Sequence, residues 1–518
     1  TFSRGSNLAA TRVGADGLIE KGRENVLLYS QEFDNSYYGK SLGTLTANQT
    51  TAPDGSLTAD LFTKTSAVNS VSELKKSSPI YASIGVHTYS VYVKQNVGDN
   101  VLLRLDSSGN TASALFTFST KSINPTGSNV IDATATELSD GWFRLSVTGK
   151  VTSTSWSLSI ATLYANPTND SVFVWGAQLE QSLAATEYIE TTTTTGTAGI
   201  LEDTPRFDYS NGASCPSLLL EGSRTNVIGQ SEYFGGSYWT KSGANVVSGF
   251  TSPEGLSNAY KLVATSNNGF ILKQDNPIVA NAYYTNSIYL KRVQGVGQVT
   301  MRTVNNSIVN ITLTNEWQRF EASVISDSST VFTHQISLAT AGDEIMIFGA
   351  QCEQGSYPTS LIPTYGTSVT RAADTQSELT IPNGSVTEGT IFYEFDKAQA
   401  PTSFDITPFK VGSNRMLRIS QYNPNMRFSI NENATSYNEP NSYNSHIKVV
   451  VSYSSSVVKL FINGNLRATD NTYSGSGSVI VPTYGLQATQ LGCSLESKQL
   501  LYFPTALSDA DCITLTTI

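Results

Sequence analysis

The stretch SVFVWGAQLEQSLAATEYIETTTTT (171–195) has a near-twin in EIMIFGAQCEQGSYPTSLIPTYGTS (344–368). Each begins as an alternating run of bulky apolar residues, the period-two signature of a strand. Strict alternation places Phe173, Trp175, Ala177 and Leu179 on one face and Val172, Val174, Gly176, Gln178 and Glu180 on the other. In the second stretch Met346, Phe348, Ala350 and Cys352 take the places of the first set. Cys352 therefore stands where Leu179 does, which reads as a buried, inert thiol. Gly176 and Gly349 interrupt the two strands at the same point, as a bulge or a close backbone approach would require. A closing strand written twice implies a domain written twice.

Landmarks on either side recur in the same order. GRENVLLYSQEFDNSYYGKS at 22 matches SRTNVIGQSEYFGGSYWTKS at 223, and APDGSLTAD at 52 matches SPEGLSNAY at 252. YSVYVK at 89 matches NSIYLK at 286, and GWFRLSV at 141 matches EWQRFEA at 316. The reading is a lead-in over 1–24, one copy over 25–190, a linker with a lead-in strand over 191–225, the second copy over 226–363, a linker over 364–375, and an unrelated third domain over 376–518. TTTTTGTAG (191–199) reads as surface linker. Lead-in phrases recur too: GLIEKGRENV (17–26) resembles LLLEGSRTNV (218–227), and ATRVGAD (10–16) resembles VTRAAD (369–374). In the third domain Asn463-Gly464 is a strong two-residue hairpin signal, and a short helical turn is expected to begin near Ser508. Short strands with turn clusters between them give an all-β chain of tandem jelly-roll sandwiches, two of them duplicated, followed by a further sandwich.

Composition narrows the function. Only 14% of the 518 residues are charged, the formal net charge is -10, and no Lys/Arg run occurs. That argues against nucleic acid, whose non-specific affinity comes from clustered cations. No apolar stretch is long enough for a membrane span. Cys215, Cys352, Cys493 and Cys512 show no zinc spacing, and reduced thiols are the plain reading, although Cys493 and Cys512 share a domain and could pair. The three histidines, His87, His334 and His446, lack metal-ligand spacing, so no metal and no cofactor is expected. Nucleophile elbows and phosphate loops are missing as well.

Glu394-Phe395-Asp396 is the best catalytic lead, because carboxylates two apart on a strand share a face and glycoside hydrolysis uses such a pair. The following Lys397 and Ala398 do not supply the third carboxylate of a β-glucanase pattern, so a solvated strand face is the plainer reading. Aromatics beside amides point elsewhere. Sugars offer an apolar face and a rim of hydroxyls, which Tyr or Trp platforms and Asn hydrogen bonds complement. Tyr422, Tyr437, Asn438, Tyr443 and Asn444 lie in one such stretch, and Trp142 with Arg144, repeated as Trp317 with Arg319, forms a second candidate on an outer face. Polar turns, and a Trp–Arg pair holding each other, are the structural alternatives.

GLIEKGREN, the LEQSLAATEYIET ending, GTSVTRAAD and the terminal ALSDADCITLTT resemble segments of tailed-bacteriophage fibre and other virion-surface proteins. In those, carbohydrate-binding-module-like jelly rolls precede a concanavalin A-like, laminin-G-type domain. The resemblance implies a non-enzymatic adhesin on the virion, assembled in the host bacterial cytoplasm, often as a homotrimer, with a host-surface glycan and other virion proteins as partners. An architectural or decoration protein and a polysaccharide depolymerase are the alternatives. The sequence holds no clear acidic calcium cluster.

Overall fold

The computed structural model describes residues 2–5, 7–65, 71–76, 84–107, 110–153, 156–162, 168–212, 214–327, 331–376, 378–397, 405–422, 425–432, 434–439, 446–481 and 494–518. Among the described residues strands hold 56% and helices 4%. The fold is all-β, built from antiparallel sheets packed in pairs.

The first sandwich faces two six-stranded sheets. One runs in the order Gly43–Thr50, Ala59–Lys64, Ser171–Glu180, Gly85–Val97, Trp142–Val151, Val130–Glu137. The second sandwich repeats that order as Ala244–Phe250, Ala259–Ala264, Glu344–Gln354, Tyr283–Gln294, Gln318–Ile325. Its partner sheets also correspond strand for strand, and the first sandwich differs by Ser122–Thr126 and Val130–Glu137, which add one outer strand to each of its sheets.

Gly176 and Gly349 are the hinge of the repeated phrase. Their φ angles are +61° and +64°, a left-handed region that glycine enters most readily. Pairing with the neighbouring strand slips there, between Trp175 and Gln178 in one copy and between Phe348 and Gln351 in the other. A bulge adds one residue and reverses the parity of the side chains beyond it. Strict alternation is therefore corrected: Val172 and Val174 before the bulge share the main core with Ala177 and Leu179 after it, while Phe173 and Trp175 point to the opposite face. In the second copy Ile345, Ile347, Ala350 and Cys352 are in the core and Phe348 lies outside it. Burial pushes the Cys352 thiol far up, so it is inert.

The third sandwich pairs a six-stranded with a seven-stranded sheet. Asn463 and Gly464 both have positive φ, as a two-residue hairpin turn between Val457–Ile462 and Asn465–Asp470 requires. Ser508 caps the helix Asp509–Thr516 by accepting from the Asp511 amide at 3.2 Å. The helix lays Cys512, a free thiol, against Phe392, Val450 and Phe461.

Lead-in strands pass forward to the next domain. Ser217–Glu221, ahead of the second copy, pairs with Ser494–Phe503 and brings Phe207–Asp208 into the third sandwich's sheet. The hairpin of Thr11–Val13 and Ile19–Lys21, ahead of the first copy, docks on the second: the Ile19 amide donates to Pro253 O at 2.9 Å, and its side chain packs on Phe348 and Leu361. The threonine run is tied at its ends, with Thr191 buried and Gly196–Ala198 paired to Arg23–Asn25.

Candidate binding sites at the junctions between the sandwiches

The repeated polar residues form a lock. Gln178 Oε1 accepts from the Ile189 amide at 2.7 Å, and its Nε2 donates to Glu180 Oε1 at 2.8 Å. Glu180 in turn accepts from the Thr186 amide (2.9 Å) and hydroxyl (2.7 Å). In the second copy Gln351 accepts from Ile362 (2.7 Å) and donates to Glu353 (2.7 Å), which accepts from the Thr359 amide (2.6 Å) and hydroxyl (2.7 Å). Each strap after the bulged strand is thereby stitched down at matching positions, with the buried polar atoms satisfied by one another. GAQxEQ is a structural device and not a reaction centre.

Buried charge joins the domains. Lys21, from the first lead-in, reaches Glu254 at 2.8 Å and Glu232 at 3.2 Å in the second copy, and the Tyr365 hydroxyl just after it at 2.7 Å. Burial pushes Glu232 up to about 7, with Lys21 opposing and Glu254 adding to the rise. At the next junction Arg206 meets Glu221 at 2.9 Å and also pairs with Asp374, while Arg371 meets Glu221 at 2.7 Å. Burial alone would raise Glu221, but Arg371 and Arg206 outweigh it and hold the carboxyl down to about 2. Sequence reasoning passed over these groups. Their signal was the recurrence of Glu and Arg in the lead-in phrases of a chain with few charges.

Between the two copies lies a cleft of about 670 Å³. Leu8, Val26, Ile84 and Pro363 supply apolar wall, and Arg23, Glu24 and His87 supply polar groups. Its floor is a close backbone approach: the Val86 amide donates to Tyr365 O at 2.8 Å, and a Cβ on Gly85 would sit 2.2 Å from that oxygen. Burial pushes His87 down to about 4, so the ring facing the cleft is neutral at pH 7.

The Trp–Arg candidates are rearranged. Trp142 is 2% exposed, and its indole donates to Thr51 O at 3.2 Å. Arg144 lies over the Tyr92 ring at 5.2 Å, donating to Ser90 Oγ at 3.0 Å and to the strap carbonyl of Thr186. Trp317 is half-buried beside Ile19 and Phe348, and Arg319 lies over Tyr289 at 5.5 Å with a 2.9 Å bond to Ser287 Oγ. In both copies the arginine's aromatic partner is thus a tyrosine directly across the strand pair.

In the third sandwich Tyr437 is half-buried on the core beneath Arg467, 5.0 Å from its ring, and Asn438 is exposed and accepts from Arg427 Nε at 3.2 Å. As neighbours on one strand these two side chains point to opposite faces. Tyr422 ends the strand Asn414–Tyr422, and Tyr443 and Asn444 lie outside the described residues. Glu394 and Asp396 do share a face, with His446 between them: Nε2 is 2.9 Å from Glu394, Nδ1 is 2.7 Å from Asp396, and Lys498 reaches Asp396 at 2.8 Å. Among the described residues no group of His, Cys, Asp and Glu is arranged to hold a metal ion, and no helix is long and apolar enough to cross a membrane.

No family model and no curated protein matches the sequence. Among solved structures the chain is similar to the CBM22 tandem of Paenibacillus barcinonensis Xyn10C, at 11% identity over 64% of this chain and 97% of that one, with a TM-score of 0.22. A Ruminococcus gnavus sialidase CBM40 module in complex with sialyllactose matches at 14% identity over 27% of this chain and 97% of its own, with a TM-score of 0.19. The LG1-3 region of the laminin α2 chain matches at 11% over 85% of this chain and 96% of its own, with a TM-score of 0.18. Scores this low add no argument to the sandwich architecture that the strands themselves display.

Proposed function

We propose that this chain is a non-enzymatic virion-surface protein that captures host-surface glycans. The observation that carries the glycan reading is the cleft between the two copies, where apolar wall and a few polar groups face one space of about 670 Å³. Its walls are pre-set by the Lys21 cluster and the Val86–Tyr365 bond, so little ordering cost falls on binding. The virion setting draws on the resemblance of the lead-in and closing phrases to phage fibre proteins, and a homotrimer would multiply weak single-site affinity. The reading assigns the contacts of Glu394 and Asp396 with His446 and Lys498 to holding that strand face together, not to catalysis.

The intact chain, applied to an array of bacterial envelope glycans, is expected to retain a subset of them saturably. Silence across the array, with virions lacking the protein still adsorbing to cells, would remove the reading and favour an architectural role.

A further inference from the structure

The two copies diverge at Arg319. Its counterpart Arg144 commits one Nη to the strap carbonyl of Thr186. Among the described residues Arg319 makes one hydrogen bond, from Nη2 to Ser287, so the difference is the missing strap contact at Nη1; the Nε is buried without a partner in both copies. Beside it opens a polar pocket of about 160 Å³, walled by Tyr289, Asp208, Ser210, Thr359, Ser360 and Arg12 of the lead-in hairpin. The pocket thus combines the second copy, the forward-passed hairpin and the third sandwich's outermost strand.

The groups facing this pocket are unevenly satisfied. Arg12 is paired with Glu20 at 2.7 Å, and Glu221 with Arg206 and Arg371. The Tyr289 hydroxyl makes no hydrogen bond among the described residues, and burial pushes it up, so it stays a neutral O–H. Asp208 accepts from the Val13 amide (2.7 Å) and the Ser210 amide (3.1 Å), and a carboxylate has room for about two more donors. Open donors on Arg319 and Tyr289 beside an open acceptor on Asp208 match a molecule that offers several hydroxyls, each able to give and take. With Arg12 paired to Glu20 and Glu221 to two arginines, the charges left in the wall are Arg319 and Asp208, which nearly cancel and suit a neutral molecule. The volume lies well below the roughly 300 Å³ at which drug-sized pockets begin, which leaves space for one ring.

We propose that this pocket binds a single neutral sugar ring, with Arg319 and Tyr289 donating to ring hydroxyls and Asp208 accepting from one. The proposal rests on the glycan-binding reading and narrows it to a second site.

Saturation-transfer NMR on the full chain, with glucose, galactose and mannose as neutral probes and glucuronate as the anionic one, tests it. At least one neutral hexose is expected to bind, with Arg319→Gln weakening it about tenfold or more, as loss of a charged donor does. Tyr289→Phe keeps the ring under Arg319 and is expected to weaken binding by a few-fold; it serves where Arg319→Gln does not fold. Hexose binding unchanged in the folded variants, glucuronate binding more tightly than the neutral sugars, or no hexose binding while envelope glycans are still retained would each overturn the pocket and leave the cleft reading standing. Failure of both hexoses and envelope glycans to bind would remove the two together.

Discussion

Replacing Asn226 by alanine removes a second tie between the repeated strand and its strap, beside the Gln351–Glu353 lock. Asn226 is fully buried, and its amide donates to Ala350 O at 3.3 Å and Ile362 O at 3.0 Å while accepting from the Ile228 and Cys352 amides, both at 3.1 Å. Truncation leaves four backbone groups without those partners. Each orphaned buried group costs about 1–3 kcal/mol, so even the low end sums to about 4 kcal/mol, or roughly a thousandfold in an opening equilibrium. Native-state hydrogen exchange read by mass spectrometry separates the copies. Amides of Glu344–Gln354 are expected to exchange about a thousandfold faster, while those of Ser171–Glu180 stay as they were. Asn25, with bonds of 2.8–3.1 Å to Ala177, Ile189, Leu27 and Leu179, predicts the mirror image for Asn25→Ala. Acceleration below about tenfold, or equal acceleration in both strands from one substitution, would refute the role of the asparagine tie.

Two further outcomes follow from the junctions. Glu232 is held near 7 against an ordinary 4.5, so the folded state binds the extra proton, and its contribution to stability is present below about pH 4.5 and lost as pH rises through 7; Glu232→Gln should flatten that decline in urea-unfolding series. Glu221, held down to about 2, acts in the opposite sense, its contribution being present above about pH 4.5 and lost as pH falls toward 2. In Gly85→Ala the new Cβ meets Tyr365 O, and exchange at the Val86 amide should quicken by roughly tenfold or more; an unchanged rate would mean that the copies are not held at that contact.

Much of the fold could be read from local pattern. The duplication, the Asn463-Gly464 turn and the helix start at Ser508 are written in neighbouring residues, and they stand where their chemistry places them. Trp175 and Ala177 face opposite ways, against strict alternation, for a local reason: one glycine at φ +61° inserts a bulge, and period-two counting cannot carry parity across it. Other features depend on distant pairing. Nothing near Lys21 says that its carboxylates wait at Glu232 and Glu254, and nothing near Leu218–Glu221 says that its strand partner comes from Ser494–Ser497. For the candidate sites, the W-x-R spacing located Arg144 and Arg319 on the correct face but not their stacking on Tyr92 and Tyr289, which lie across the sheet. The difference that sets Arg319 apart is a missing strap contact, and that appears only once both copies are folded.

The most direct test of glycan capture without catalysis is to incubate the intact chain with purified host envelope polysaccharide, measuring bound polymer and newly formed reducing ends in the same sample. Saturable binding with no rise in reducing ends is the expected result. Reducing ends that accumulate with time and disappear in Glu394→Gln, or no binding at all, would contradict it.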